Sequence, residues 1–316
     1  MRVKMRKNES LAKRFKNDSF KKDNIEYIFL IMPAMLLLFI FNYIPMFGVI
    51  IAFKDYRPWL GIFGSKWNGL ENFKFFFGSQ DAVRVLRNTL GYNIVFIILG
   101  IICAVLLALM FYYLTSPKLR KIYNTAVLIP KFMSMVLIAY LVQILLNPSN
   151  GVINQILLFL GAEKIQWYSE PKYWPVILTV THIWQTVGTD CILYYATLMA
   201  LDESLIEAAS IDGAGTISKT KYILIPHLKQ IIILNVVLKI GSVFNGDFGL
   251  FYQVPMDIGL LYPTTDIINT YTFRALQEGS LSKSAAVGLF QSVAGLIMIV
   301  TTNTIIRKVS PEDSLF

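Results

Sequence analysis

Six long runs of apolar residues dominate this chain, and each is about as long as a helix that crosses a lipid bilayer. About 20 consecutive apolar residues suffice to span the hydrocarbon core. Residues 27–53 and 284–306 contain no charged side chain, and the other four runs lie within residues 88–117, 132–162, 173–201 and 223–251. Soluble folds do not use so many such runs. The pattern therefore predicts an all-α membrane protein with six transmembrane helices.

Composition agrees with this assignment. Charged residues make up 16% of the chain and hydrophobic residues 55%, whereas a soluble domain has about 25% charged residues. We place one transmembrane domain at residues 27–306, between a basic tail at 1–26 and a short tail at 307–316. The apolar run after the first tail is too long for a cleavable signal. Residues 10–26 could form an elbow helix along the membrane surface, or stay a disordered basic tail.

Lysine and arginine placement predicts the orientation of the chain. Segments that would be cytoplasmic if both termini were inside hold 16 basic residues, nine of them in residues 1–26, against ten in the outer loops. Because basic residues concentrate in cytoplasmic segments, we expect both termini in the cytoplasm. The formal charge of +9 then reflects topology and attraction to anionic lipids rather than nucleic-acid binding.

Residues 202–226, called the EAA segment below, form the most distinctive polar connection between two runs. Glu207, Ala208 and Ala209 are followed by Gly213; Ile223 comes after nine intervening residues, and Pro226 completes the pattern. The spacing of Ser204 and Glu207 predicts a capped helix that starts near Ser204. Gly213 is suited to end it. The small side chains would let another protein surface approach closely, although an ordinary solvated helix and turn would also fit.

Nucleotide hydrolysis by the chain itself is not indicated. Residues 213–220 nearly match the phosphate-binding loop motif, but Ser218 stands where the motif requires its second glycine. No apolar strand precedes these residues. His182 and His227 have no partners at metal-ligand spacing, and we expect Cys103 and Cys191, both within predicted spans, to be packing residues. No catalytic constellation is evident, so an integral membrane enzyme is disfavoured.

The EAA segment resembles the EAA coupling loop of membrane subunits of ABC importers, with Ile225 in place of the usual Leu and Thr220 where a Phe is common. Seven other stretches are similar to carbohydrate-importer permeases: residues 51–56, 67–73, 88–90, 147–154, 184–188, 265–271 and 285–293. The two C-terminal stretches, 265–271 and 285–293, are closest to the LplB-like permeases of complex-saccharide importers.

The resemblance implies a type I importer permease fold and a chain that catalyses nothing itself. It further implies a heterodimer with a sister permease, two ATPase subunits in the cytoplasm, an extracellular solute-binding protein and an oligosaccharide substrate. No cofactor would bind this chain, because ATP and Mg²⁺ belong to the ATPases. The residues that would couple to the ATPase are Glu207, Ala208, Ala209, Asp212, Gly213 and Ala214. A permease for another solute, such as a peptide, or a secondary transporter remains the alternative.

Polar and aromatic side chains within the fourth and fifth runs are candidates for the sugar path, because sugars stack on aromatic rings and form many hydrogen bonds. Trp184 and Tyr195 lie about 20° apart around a helix and about 16 Å apart along it. Such aromatics could equally face lipid or pack. Residues 244–249 suggest a helix broken around a cavity, or simply a helix end. The candidates are Trp184, Gln185, Tyr194, Tyr195, Asn245, Asp247, Tyr252 and Gln253.

Asp190 and Lys239 are charged residues inside predicted spans. Counted from the inner ends of the fourth and fifth spans, they lie at heights of about 17 and 20 Å, near mid-bilayer. Charged groups at this depth are costly and usually pair or face water. We therefore expect either that Asp190 and Lys239 form an ion pair or that each side chain separately faces a water-filled path through the protein.

Overall fold

The computed structural model describes residues 27–309, and the suggested elbow helix at residues 10–26 lies outside this range. The chain divides into two compact units at Gly69 and Leu70. The helices are α1 Tyr27–Phe53, α2 Gly61–Gly64, α3 Glu71–Phe77, α4 Gln80–Tyr113, α5 Pro117–Phe132, α6 Met135–Leu145, α7 Val152–Phe159, α8 Trp174–Met199, α9 Glu203–Ile211, α10 Thr216–Gly241, α11 Phe248–Gln253, α12 Tyr262–Thr265, α13 Ile268–Gln277 and α14 Leu281–Val309.

The first unit consists of α1 followed by a small hairpin. In α1, a π turn at Phe39–Tyr43 and a 3₁₀ segment at Phe47–Phe53 interrupt the regular helix. Two-residue antiparallel strands, β1 Lys54–Asp55 and β2 Lys66–Trp67, then flank α2. The rings of Phe53 and Trp67 stack with centroids 5.9 Å apart, which closes the hairpin against the end of α1.

The second unit, from Leu70 onward, is a helical bundle built around α4 and α8. Three clusters of buried side chains run through it: one around Trp174 and Phe251, one around Tyr194 and Leu228, and one around Phe76 and Ile268. Helix α5 also lies against α8 at Gly188, where an added Cβ would be 2.1 Å from the Val127 carbonyl oxygen. Glycine is therefore required for this close approach.

The prediction of an all-α membrane protein is confirmed. Within residues 27–309, five helices are long and apolar enough to cross a membrane, and the pair α5–α6, bent by 98°, provides a sixth span if counted as one. Four predicted spans coincide with α1, α4, α8 and α14 apart from their ends. The other two need correction.

The third span does not occupy residues 132–162 as predicted. Counted as one span, the bent pair begins at Pro117 with α5, turns after Phe132 and continues as α6, while α7 is a separate short helix. Ser134 lies in extended backbone and its Oγ accepts from Leu137 N–H, so it starts a new helix rather than continuing the old one. Pro130 weakens the preceding turn, and the basic first turns of α5 made this helix look like a loop.

The fifth span also differs in both of its ends from the predicted run 223–251. Helix α10 begins at Thr216, contains a π turn at Thr220–Leu224 and ends at Gly241. After a non-helical stretch, the short helix α11 begins at Phe248. Residues 244–249 thus include the end of the connection between α10 and α11, where the Gly246 N–H donates to Asn269 Oδ1 over 2.9 Å.

Candidate functional site

The EAA segment forms a short capped helix that ends in a tight turn. Asp202, not the predicted Ser204, caps α9: its Oδ1 accepts from the Ser204 N–H over 3.0 Å, so the helix starts at Glu203. Asp202 has the extended backbone that an N-cap requires, and its carboxylate is a strong acceptor. The same backbone hydrogen bond lowers the pKa of Asp202 below its ordinary value.

Gly213 terminates α9 in the predicted way. Its φ is +80°, a conformation that glycine adopts without the penalty of a Cβ atom. The Gly213 N–H donates to the Ser210 carbonyl over 3.1 Å, and the Ala214 N–H donates to the Ala209 carbonyl over 2.8 Å. These two bonds are the Schellman arrangement, which satisfies the last carbonyls of the helix. The turn is therefore determined by local sequence alone.

The EAA segment is anchored on one side and open on the other. The Lys219 ammonium donates to Ser210 Oγ over 2.7 Å, and the Tyr113 hydroxyl at the end of α4 is 2.7 Å from Thr220 Oγ1. Glu207, Ala208, Asp212 and Gly213 are exposed. Ile211 and Ile217 are 87% and 85% exposed. Exposed apolar side chains rimmed by acidic groups on a rigid turn are typical of a protein contact surface.

Asp190 and Lys239 meet between α8 and α10. Lys239 Nζ lies 2.5 Å from Asp190 Oδ2. Asn235 Nδ2 donates to the other carboxylate oxygen over 3.3 Å and to the Tyr194 hydroxyl over 3.0 Å. The Asp190 and Lys239 side chains keep 16% and 30% of their surface exposed. The structure thus places the two predicted residues together, at the wall of a cavity.

This cavity, called the polar cavity below, has a volume of about 290 Å³. His182 and Phe96 form one wall, with their rings stacked 3.9 Å apart. His182 Nδ1 also lies 3.8 Å from Asp247 Oδ2. This contact joins α8 to the N-cap residue of α11. The lining residues are Asn93, Phe96, Ile97, Lys131, His182, Thr186, Thr189, Asp190, Lys239 and Ser242.

The aromatic candidates of α8 have unlike surroundings. Trp184 is 44% exposed, whereas Tyr194 is completely buried in an apolar cluster. Tyr195 packs against the same cluster, and its ring meets that of Phe111 edge-on with centroids 6.3 Å apart. Gln185 is buried. In this conformation Trp184 alone among the three rings presents a largely free face.

The candidates from the break after α10 are divided between two places. Asn245 is exposed, and Asp247 caps α11 by accepting from the Leu250 N–H over 3.1 Å. Tyr252 and Gln253 line a second cavity of about 200 Å³ with Tyr140 and Gln143 of α6. Because amides and tyrosine rings suit sugar hydroxyls and ring faces, this cavity adds two residues that sequence reasoning missed. The signal was Gln143, a polar residue within an apolar helix.

A further cluster of charges lies around Asp266, whose side chain is fully buried. Its two oxygens meet Arg274 Nη2 at 2.6 Å and Arg84 Nη2 at 2.9 Å. The Thr270 hydroxyl donates to it over 2.8 Å, and Arg274 also reaches Asp257 at 3.1 Å. We call this the Asp266 network. It ties α4 to α13, and apart from the resemblance of residues 265–271 no sequence pattern indicates it.

Metal-binding and thiol chemistry receive no support in the part of the chain that is described. Residues 27–309 contain no group of three histidine, cysteine, aspartate or glutamate side chains that could hold a metal ion. Cys103 and Cys191 are unpaired thiols in the bundle, the second of them buried.

Comparison with known proteins gives a consistent result. The family described as "Binding-protein-dependent transport system inner membrane component" matches residues 96–310. Protein LplB of Bacillus subtilis is 34% identical over 295 residues, covering 93% of this chain and 92% of the relative. The polygalacturonan/rhamnogalacturonan transport system permease protein YteP of Bacillus subtilis is 34% identical over 293 residues, covering 91% and 89%.

A solved structure also matches the fold. A chain in the crystal structure of a bacterial ABC transporter involved in the import of the acidic polysaccharide alginate superposes with a TM-score of 0.84 and 30% identity, covering 93% of this chain and 98% of that one. A second structure of the bacterial alginate transporter, in complex with an alginate pentasaccharide-bound periplasmic protein, gives a TM-score of 0.83. The prediction of a type I importer permease fold is confirmed.

Proposed function

Because the chain belongs to the family of binding-protein-dependent transport inner membrane components, we propose that it is one of two permease subunits of an ATP-driven importer of oligosaccharides or polysaccharide fragments. The protein is a membrane transport component and not itself an enzyme. The saccharide class is supported by relatives that carry carbohydrate names and by residues suited to sugars in two cavities.

The observation that carries this proposal is the open face of the EAA segment. Helix α9 is closed at both ends by local hydrogen bonds and braced by Lys219 and Tyr113, yet Ile211 and Ile217 project without cover among the described residues. A rigid, exposed turn between two membrane-spanning helices can transmit the movement of a bound partner protein to both helices. We assign the partner as an ATPase subunit that contacts Glu207, Ala208, Ala209, Asp212, Gly213 and Ala214.

The orientation follows from the same assignment. Placing both termini in the cytoplasm puts the EAA segment on the side where ATP is available, in agreement with the distribution of lysine and arginine. One ATPase would engage this chain and a second would engage the sister permease. ATP and Mg²⁺ would bind to the ATPases and no cofactor to this chain, while the basic tail would favour anionic lipids.

Transport in this proposal is alternating access of a path shared with the sister permease. A solute-binding protein would deliver the saccharide to the outer mouth. ATP binding would draw the ATPases together and move the EAA segments, opening the permeases outward, and hydrolysis would reset them. The path candidates in this chain are Trp184, Asn245, Tyr252 and Gln253, while Gln185, Tyr194, Tyr195 and Asp247 would act at its wall.

Purification of the tagged chain from its native membranes in mild detergent tests this assignment. We expect an ATPase subunit and a second permease to co-purify, and the complex to hydrolyse ATP faster with a saccharide-loaded binding protein. Replacing Ile211 and Ile217 with serine should release the ATPase but keep the second permease. Leu260→Ser is the matched control, since Leu260 is also exposed, at 67%, but lies far from the EAA segment in sequence.

A secondary transporter or a membrane enzyme predicts a different result. Either would be active as a purified single chain without an ATPase. Uptake that persists with no ATPase in the preparation would contradict the proposed function.

A further inference from the structure

Lys131 is a cation in the membrane-spanning part of the second unit, and its charge acts at a distance on the Asp247 carboxylate. It lies in the last turn of α5, about 21 Å along the helix from Pro117, and so at about the same depth as Asp190 and Lys239. Its side chain is exposed. Among residues 27–309, no carboxylate lies within 4.0 Å of its ammonium group. Lys131 also borders the polar cavity.

A cation at this depth needs an explanation, because charged residues within membrane spans are costly and usually mark a ligand or ion pathway. The C-terminal carbonyls of α5 favour a positive charge nearby, but this effect is several-fold smaller than the cost of placing a lysine at mid-bilayer. Asp190 does not form an ion pair with Lys131: its carboxylate binds Lys239 and Asn235 and lies more than 4.0 Å from the Lys131 ammonium group.

The charged side chains that line the polar cavity therefore sum to one net positive charge. Lys131 and Lys239 contribute two cations and Asp190 one anion. Asp247 interacts electrostatically with Lys131 but does not line the cavity; it contacts His182 and caps α11. A ligand that enters the cavity meets a net positive wall, so the charge complementary to it is negative.

The remaining lining groups suit a sugar. The Phe96–His182 stack offers an apolar surface for ring C–H groups. Thr186, Thr189 and Asn93 add hydroxyl and amide groups. A volume of about 290 Å³ matches the smaller ligand pockets of proteins, roughly 300 Å³. A charged and an apolar wall in one cavity favour a sugar ring that carries an acid group.

We propose that Lys131 binds the carboxylate of an acidic saccharide in the polar cavity during transport, so that the imported substrate is a uronate-containing oligosaccharide. This inference rests on the proposed function and narrows its substrate class. Lysine suits this role because its flexible stem and compact charge can follow a carboxylate without demanding one fixed geometry. The Asp190–Lys239 pair is a neutral wall beside it.

Reconstituted transport with the native binding protein and ATPase tests the proposal. The substrates are oligosaccharides from polygalacturonan, rhamnogalacturonan and alginate, each beside the same material with its carboxylates reduced to alcohols, and a set of neutral oligosaccharides. Uptake is read by mass spectrometry of vesicle contents. We expect acidic members to be imported, and Lys131→Ala to slow their uptake about tenfold or more, as expected from losing a charge-assisted hydrogen bond.

Matched variants separate binding from structure. Lys131→Arg should retain most acidic uptake, and Lys131→Glu should abolish it. Lys118→Ala is the control, because Lys118 is an exposed lysine at the other end of α5 and does not line the polar cavity. It should behave as wild type. Any neutral saccharide that is imported should be unaffected by Lys131→Ala.

Three outcomes overturn the inference. Import of neutral saccharides alone would leave the proposed function standing and remove its acidic substrate. Acidic uptake that Lys131→Ala leaves unchanged, or reduces equally for neutral sugars, would remove Lys131 from recognition. Loss of the sister permease from both Lys131→Ala and Lys131→Gln complexes would assign the cation to a subunit contact. Failure of every saccharide would refute the proposed function itself.

Discussion

Asp266 and Asp190 are both carboxylates that bind basic side chains, but their surroundings differ in a way that separates scaffold from moving parts. Asp266 is fully buried and binds Arg84, Arg274 and Thr270. Asp190 remains partly exposed, binds one lysine and one amide, and borders the polar cavity. Buried charges with many partners are held in one arrangement, whereas a partly wet pair can rearrange. We therefore interpret the Asp266 network as fixed and the Asp190–Lys239 pair as part of the transport path.

The largest expected effect is on the Asp266 network. Asp266→Asn removes the negative charge between two guanidinium groups and leaves Arg84 and Arg274 only their more exposed partners, Asp81 and Asp257. Breaking a buried ion pair costs about 3–5 kcal/mol. We expect a large fall in the thermal unfolding midpoint in detergent. Asp81→Asn is the control, because Asp81 pairs with the same Arg84 but is 46% exposed, and it should change stability by less than about 1 kcal/mol.

A small loss of stability in Asp266→Asn would contradict the distinction between a fixed Asp266 network and a mobile Asp190–Lys239 pair. It would mean that the Asp266 network is as adaptable as the Asp190 pair, and that the two carboxylates cannot be assigned to scaffold and path on burial alone.

The Asp190–Lys239 pair should show a smaller and non-additive effect. Asp190→Asn and Lys239→Met each leave an uncompensated charge, while the double variant leaves none. We expect the double variant to be more stable than the sum of the two single losses predicts, with a coupling energy of about 1–3 kcal/mol. Thermal unfolding of the four proteins measures this coupling. Strict additivity would show that the contact contributes nothing, and that each group faces water separately.

The smallest expected effect concerns the hydrogen bond from Asn235 to Tyr194, which helps to position the Asp190–Lys239 pair. Tyr194→Phe removes the hydroxyl that accepts from Asn235, whose amide also donates to Asp190. We expect a loss of about 0.5–1.5 kcal/mol, with transport largely retained, because the buried ring still fills its cluster. Tyr195→Phe is the matched control on the next residue. Abolished uptake at normal stability would place Tyr194 in the sugar path instead.

Sequence reasoning succeeded where structure is set by local or strongly periodic features. The apolar runs identified the membrane-spanning helices, and Gly213 ended α9 because a left-handed residue there is a local requirement. The heights of Asp190 and Lys239 followed from helix rise alone. The cap of α9 lies two residues earlier than predicted, because Asp202 and Ser204 both suit an N-cap and only backbone geometry chooses between them.

Sequence reasoning failed where distant segments meet. The polar cavity joins residues of α4, α5, α8 and α10 with Ser242 just beyond, and the Asp266 network joins Arg84 to a residue 182 positions later. No periodicity encodes such contacts. The bend between α5 and α6 was missed because Lys118, Arg120 and Lys121 resemble a loop, although they occupy the first turns of a helix capped by Ser116.

Uptake by the Gly213→Trp variant tests the central claim most directly, namely that the EAA segment couples this permease to an ATPase. Tryptophan cannot adopt φ +80° without strain, so the turn that closes α9 should be lost. Gly161→Trp is the matched control, because Gly161 is also exposed, has φ +77° and has open space around it. We predict that Gly213→Trp inserts normally, loses saccharide uptake and binding-protein-stimulated ATP hydrolysis, and that Gly161→Trp retains both. Wild-type uptake by Gly213→Trp at normal expression would contradict the account.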